Sequence, residues 1–147
     1  MKVLKKKTNK ISIPFFLENV ENGKMLLVEG SINNSKGFFI LDTGACCSII
    51  DSTLISDFNS EQTHFSSWQI KTIEGNNTNV YAVLIEKFVL NETQFPDKNF
   101  FCTSLHFLNK EFPKKPILGI IANDIFEKYS AVIDYSTKEM TIKIPAN

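Results

Sequence analysis

No stretch of this 147-residue chain is apolar for long enough to cross a bilayer as a helix. Neither sign of charge prevails. Sixteen basic and sixteen acidic side chains cancel, so no global field points to nucleic acid or to an anionic membrane surface. Cysteine is scarce: three residues, two of them adjacent at Cys46 and Cys47, make no disulfide framework, and the odd count fits a reducing compartment. His64 and His106 stand without spaced Cys or His partners, so no metal site is expected and no cofactor is implied. The Gly-rich, lysine-bearing loop that cradles phosphates is missing as well. A basic start is followed by "ISIPFFLENVENG", which a proline and two glutamates interrupt. That makes a poor secretory signal, and a cytoplasmic location is expected.

What is present suits one globular domain. The apolar fraction is 43%, with thirteen Phe, enough to build a proper core at this length. Residues 1–9 read as a flexible basic tail and 10–147 as the domain. Most of the chain reads as short strands. "KISIPFFLE" alternates, with Pro14 suited to a sheet edge. "KMLLVEGSI" and "GFFIL" flank a hairpin turn at "NNSKG". "DSTLISDF" forms one or two helical turns with Asp51 or Ser52 as cap. "VYAVLIEKFVL" reads as one long strand, "NETQFPDKN" as a turn region and "FFCTSLHFL" as strand. "ILGII" is a strand buried on both faces. "NDIFEKY" is the single short helix, capped by Asn123 or Asp124, and "AVIDY" and "MTIKI" close as a hairpin. The Phe-rich segments between Phe95 and Phe112 are expected in the core.

The stretch with chemical content is "FFILDTGACCSII", Phe38 to Ile50. Four apolar residues run into Asp42 and the chain then turns. A buried charge is costly unless paired or hydrogen-bonded, so the carboxylate is either a turn former or at work. Together with "ILGIIANDIFEKYSAVIDYSTKEMTI", this stretch resembles the retropepsin-like aspartic proteases. Those have an apolar run, Asp-Thr/Ser-Gly-Ala and a Ser or Thr three residues on, then an apolar-apolar-Gly strand, a helix and a closing hairpin. The resemblance implies a mainly β, retropepsin-like closed barrel or sandwich with one lobe per chain. It also implies an aspartic endopeptidase in which Asp42 is catalytic and Thr43 and Gly44 support the catalytic loop.

Amide hydrolysis requires a proton taken from water, a polarised carbonyl and a protonated leaving nitrogen. Two carboxylates sharing one proton supply all three, because their like charges prevent both from ionising together. Asp-Thr/Ser-Gly occurs once here, and Asp134 in "VIDYS" lacks the following glycine. The second carboxylate is therefore expected from a second copy, and only a two-fold axis brings a residue face to face with itself. The expected partners are a polypeptide substrate and a second subunit, with no nucleic acid and no membrane.

By the same correspondence Ala45, Cys46, Cys47 and Ile49 line the cleft. Ile73, Glu74 and Gly75 lie in a hairpin flap, and Ile121 and Ala122 belong to the second block. Two departures from the pattern stand out. Cys46 and Cys47 occupy positions where the retroviral relatives often carry acids, and are small packing residues or a redox switch. Aligning on the helix start puts Ala122 at the glycine of the apolar-apolar-Gly block, while "ILG" offers Gly119. Ala122 is preferred, because "NDIF" then continues the pattern. Two rival functions remain: a retropepsin fold that binds peptide or dimerises without cutting, and a nucleotide-binding loop. The second needs two lobes, for which the chain is too short.

Overall fold

The structure, a computed structural model, describes residues 7–57, 65–71 and 77–146. The chain opens with β1 (Thr8–Pro14) and β2 (Phe16–Val20), then a long hairpin of β3 (Gly23–Ile32) and β4 (Ser35–Leu41). β5 (Ile49–Asp51) leads into a 3₁₀ helix, Ser52–Asp57. The next hairpin pairs β6 (Phe65–Lys71) with β7 (Asn77–Ile85). β8 (Phe88–Leu90), β9 (Thr93–Phe95) and β10 (Lys98–Thr103) precede α1 (His106–Glu111). β11 (Ile117–Ile121), α2 (Asn123–Lys128), β12 (Val132–Asp134) and β13 (Glu139–Pro145) complete it. Most strands belong to one curled sheet, and a three-stranded sheet in the order β1-β13-β12 stands apart. Among the described residues no helix is long and apolar enough to cross a membrane.

Local chemistry explains the turns. Asn33 and Asn34 both adopt positive φ, 47° and 71°, which gives the β3–β4 hairpin the primed turn that matches strand twist. Pro14 ends β1 on the outer edge of the small sheet, where no ladder donor is required. The first expected strand is divided at Phe15, whose N–H donates to Lys138 O at 3.0 Å and whose ring is buried. β1 begins at Thr8, inside the segment read as tail, and the Ala146 N–H donates to Lys7 O at 3.0 Å.

Three elements differ from the sequence reading. "VYAVLIEKFVL" bends at Glu86–Lys87 into β7 and β8, and the turn region after it contributes β9. "FFCTSLHFL" is strand only to Thr103. It then becomes a second short helix, because the Asp51 carboxylate takes the Leu105 N–H at 3.3 Å and Ser104 Oγ takes that of His106 at 3.3 Å. The N-cap position of α2 is Ala122, which has no capping side chain, and neither Asn123 nor Asp124 occupies it. Asp124 Oδ1 accepts the Ile125 N–H at 3.0 Å from within the first turn, and the same carboxylate is also engaged outside the helix.

The core has two parts, and β4 shares itself between them by the period-two alternation of strands. Phe39 and Leu41 join Val28, Ile50, Phe88, Phe100 and Ile121 in the larger cluster. Ile40 faces Leu27, Leu105, Leu108, Phe112 and Ile117 in the smaller one, beneath α1. An apolar run burying both faces of a strand is the result. Phe88 centres the larger cluster, with ring centroids of Phe95 at 4.9 Å, Phe100 at 5.1 Å and Phe39 at 5.4 Å. Phe107 breaks the expectation of an all-core Phe segment, being 63% exposed on α1.

β11 lies between β4 and β5, parallel to the first and antiparallel to the second. The approach is tight at Gly119, where a Cβ would stand 2.4 Å from the Ile49 carbonyl oxygen. Gly119→Ala therefore forces backbone apart at the sheet centre. A loss of at least about 1–3 kcal/mol is expected in urea unfolding, and an unchanged midpoint would disprove this close contact.

Candidate active site

The segment 42–48 crosses the end of β11 in going from β4 to β5, so both its flanks are attached to a strand more than seventy residues later. Its first anchor extends the parallel ladder. Leu41 pairs with Ile121, and the Asp42 N–H donates to Ile121 O at 2.9 Å. The chain then turns, with the Ala45 N–H donating to Asp42 O at 3.3 Å. The Asp42 side chain is exposed, and its Oδ1 accepts the Gly44 N–H at 2.8 Å. A carboxylate ends this buried strand because its side chain leaves the core and takes a local backbone donor. Gly44 has no positive φ. Its use is space, since a Cβ there would sit 3.2 Å from Asp42 Oδ1.

α2 holds the loop from the other side. The Asn123 N–H donates to Ala45 O at 3.1 Å, and its Nδ2 donates to Thr43 O at 2.9 Å. Thr43 is exposed, with its hydroxyl unpartnered among the described residues.

The second anchor is Ser48, buried at the end of the loop. Its hydroxyl donates to Asp124 Oδ1 at 2.6 Å and accepts the Ala122 N–H at 2.9 Å, and its own N–H donates to Asp124 Oδ1 at 3.0 Å. Lys98 on β10 closes the set, with Nζ 2.8 Å from Asp124 Oδ2. Burial pushes the Asp124 carboxyl upward, but the bonds from Lys98 and Ser48 outweigh it and hold it below the usual carboxylate range. Lys98 was not singled out by the sequence, and Asp124 only as a candidate helix cap. The signal available was the Ser three residues after Ala45, which requires a partner once it is buried.

The remaining residues fall into three groups. Asp42, Thr43, Gly44, Ala45, Cys46 and Cys47 form one continuous surface, with Ala45 and Cys47 half-buried and the others exposed. Ile49, Ile121 and Ala122 differ from these in burial and packing. Ile49 packs against the smaller core cluster, and Ile121 and Ala122 are fully buried. They act through backbone, by the Ile121 carbonyl and the Ala122 N–H. Ala122 has extended φ and ψ of −128° and −171°, which an alanine adopts freely. Ile73, Glu74 and Gly75 lie outside the described residues. The strands flanking them are paired to Lys71 and Asn77. Among the described residues, no group of His, Cys, Asp and Glu is arranged to hold a metal ion.

No protein-family model and no curated protein sequence matches the chain. Solved structures do. The fold is similar to that of a retropepsin-like aspartic protease from Rickettsia conorii, with a TM-score of 0.56, 16% identity and 100% of both chains covered. It is also similar to the retroviral protease-like domain of Ddi1 from Leishmania major, with a TM-score of 0.50 and 17% identity. That alignment covers 82% of this chain and 92% of the other. The chain has the retropepsin-like fold: mostly β, a curled half-barrel sheet and two short helices.

Ser48→Ala leaves the buried Ala122 N–H without its acceptor and is expected to cost about 1–3 kcal/mol in urea unfolding. Because the folded Asp124 pKa is depressed, its contribution is present above the unfolded value and lost as pH falls through the folded one. In Lys98→Met that acid-side loss should begin at higher pH. Identical acid unfolding curves for the two proteins would refute the role given to Lys98.

Proposed function

We propose that the chain is one subunit of a homodimeric aspartic-type endopeptidase, with a water activated between two Asp42 carboxylates. The observation that carries this reading is the single Asp-Thr-Gly turn, its carboxylate exposed and oriented by the Gly44 N–H on a loop fixed at both ends. One carboxylate accepts the proton of the water as it attacks the peptide carbonyl. The other, protonated, donates a hydrogen bond to the carbonyl oxygen where negative charge develops. The proton then passes to the leaving nitrogen. The exposed Thr43 hydroxyl is available to the partner's loop across the two-fold axis, and Gly44 leaves room for that loop. The β6–β7 hairpin is the candidate lid over a substrate bound as an extended strand.

The edges of the small sheet support a route to the dimer. β1 exposes Lys10 and Pro14 on its outer edge, features that discourage strand addition. β12 forms the opposite edge, and Val132 and Tyr135 beside it are 59% and 61% exposed. Pairing of β12 with its own copy is antiparallel under a two-fold axis and joins the two small sheets into one. That pairing buries both side chains.

Cleavage of a denatured protein substrate, assayed from acid to neutral pH with and without pepstatin, tests the chemistry. Asp42→Asn should lower the rate by at least about 10²–10⁴-fold while leaving the protein folded and dimeric. Cleavage that persists in this variant ends the proposal, and a folded dimer that cuts nothing favours the non-cutting peptide-binding reading. Val132→Lys combined with Tyr135→Asp should give a folded, inactive monomer in sedimentation velocity. A variant that remains dimeric would move the interface away from β12.

A further inference from the structure

The turn that carries Asp42 also carries two adjacent thiols. Cys46 is exposed and Cys47 half-buried, and their sulfurs lie 3.4 Å apart, already in contact. The dipeptide is bracketed by fixed points. Before it, Ala45 O accepts the Asn123 N–H at 3.1 Å. After it, Ser48 is bound through its N–H and hydroxyl to Asp124. Nothing in the proposed peptidase chemistry uses either sulfur, and a pair of small packing residues requires no such sulfur contact.

We propose that Cys46 and Cys47 form a vicinal dithiol that peroxide converts reversibly to an eight-membered disulfide ring, and that ring closure slows the Asp42 site. Peroxide oxidises the exposed Cys46 sulfur to a sulfenic acid, releasing one water. The Cys47 sulfur then attacks the Cys46 sulfur, the S–S bond forms and a second water leaves, so two thiols and one peroxide give one disulfide and two waters. Burial, then the neighbouring Cys46 thiol, push the Cys47 pKa up, which fits the resolving rather than the first-oxidised position. Cys102 takes no part. It is fully buried and its pKa is pushed up to about 12.

Consecutive Cα atoms stand about 3.8 Å apart across a trans peptide. Ordinary disulfides span about 4.4–6.8 Å, so a vicinal ring is strained and easily reduced, as a reversible device requires. Closing it bends the backbone between Ser48, held through its N–H and hydroxyl, and Ala45, whose carbonyl has the single bond from Asn123 and is the first to yield. The displacement falls on Ala45, whose N–H holds the Asp42 carbonyl. A shift of about 1 Å in a catalytic group costs up to about 10²-fold in rate.

The test combines intact mass, peptide mapping and peptidase rate on the full chain. The effect on rate rests on the peptidase reading, whereas the ring is scored by mass alone. After mild peroxide the chain should lose about 2 Da, the two hydrogens of the thiols, with Cys46 and Cys47 joined within one peptide. Phenylarsine oxide, a trivalent arsenical that bridges neighbouring thiols, should bind once per reduced chain and not at all after oxidation. Cys46→Ser and Cys47→Ser should each abolish both results, and Cys102→Ala should change neither. Peptide cleavage should fall about tenfold to a hundredfold on oxidation and recover with dithiothreitol. Sulfinic acids, glutathione adducts or disulfides between chains in place of the ring would overturn the proposal. So would a ring that forms without altering cleavage. A reduced protein that cuts nothing would instead strike the peptidase reading, and the mass result would still decide the ring.

Discussion

The molecule depends on one act of insertion: β11 placed between β4 and β5. Without it, segment 42–48 would be an ordinary loop between two strands that do not touch. With it, the segment becomes a bridge of fixed span over a strand end, and both feet of the bridge stand on the same element. The helix that follows β11 at once then supplies Asn123 and Asp124 to the underside of the bridge. Strand, cap and helix are consecutive in sequence, so a single stretch of about ten residues provides most of the loop's long-range partners.

Two carboxylates, one half-buried and one buried, do comparable work at separate points. Asp124 ties the loop to β10 and α2. Asp51 ties the end of β5 to α1, with Oδ1 taking the Thr53 and Leu105 N–H groups and Oδ2 the Asn109 side chain at 3.3 Å. Asn109 in turn spans Ile117 through both its carbonyl and its N–H, so the start of β11 is held by the same network. Among the described residues no buried side-chain nitrogen or oxygen lacks a partner. The apolar clusters supply non-directional cohesion, and these two polar knots choose one arrangement of the strands they join. Every basic side chain in the protein is a lysine. Asp124 is therefore held by a compact ammonium rather than a planar fork, which leaves its Oδ1 free to serve Ser48.

The legible parts of the sequence were those with a local cause. Alternation and the Asn33–Asn34 turn disclosed the β3–β4 hairpin, "ILGII" disclosed a doubly buried strand, and "NDIFEKY" a helix. The hidden parts have remote causes. Helix α1 replaces a strand because Asp51, more than fifty residues earlier, takes its first donor. Asp124 looks like a helix cap in sequence and its Oδ1 does take the Ile125 N–H, yet the same carboxylate also binds Ser48 and Lys98, which no local window contains. The candidate site divides in the same way. The Asp-Thr-Gly turn announces itself in the chain, whereas the full burial of Ile121 and the packing of Ile49 follow from sheet register and are invisible before pairing is known.

The late position of β11 also orders events during synthesis. A growing chain carries Asp42 long before it carries Ile121 or Asp124, and until those residues emerge the turn has neither its ladder bond nor its Ser48 anchor. Segment 42–48 therefore stays unshaped until β11 and α2 have emerged and folded back onto it. Contacts of such long sequence separation make this a slow step. A chain cut short before β11 thus lacks both anchors of the Asp42 turn by topology alone.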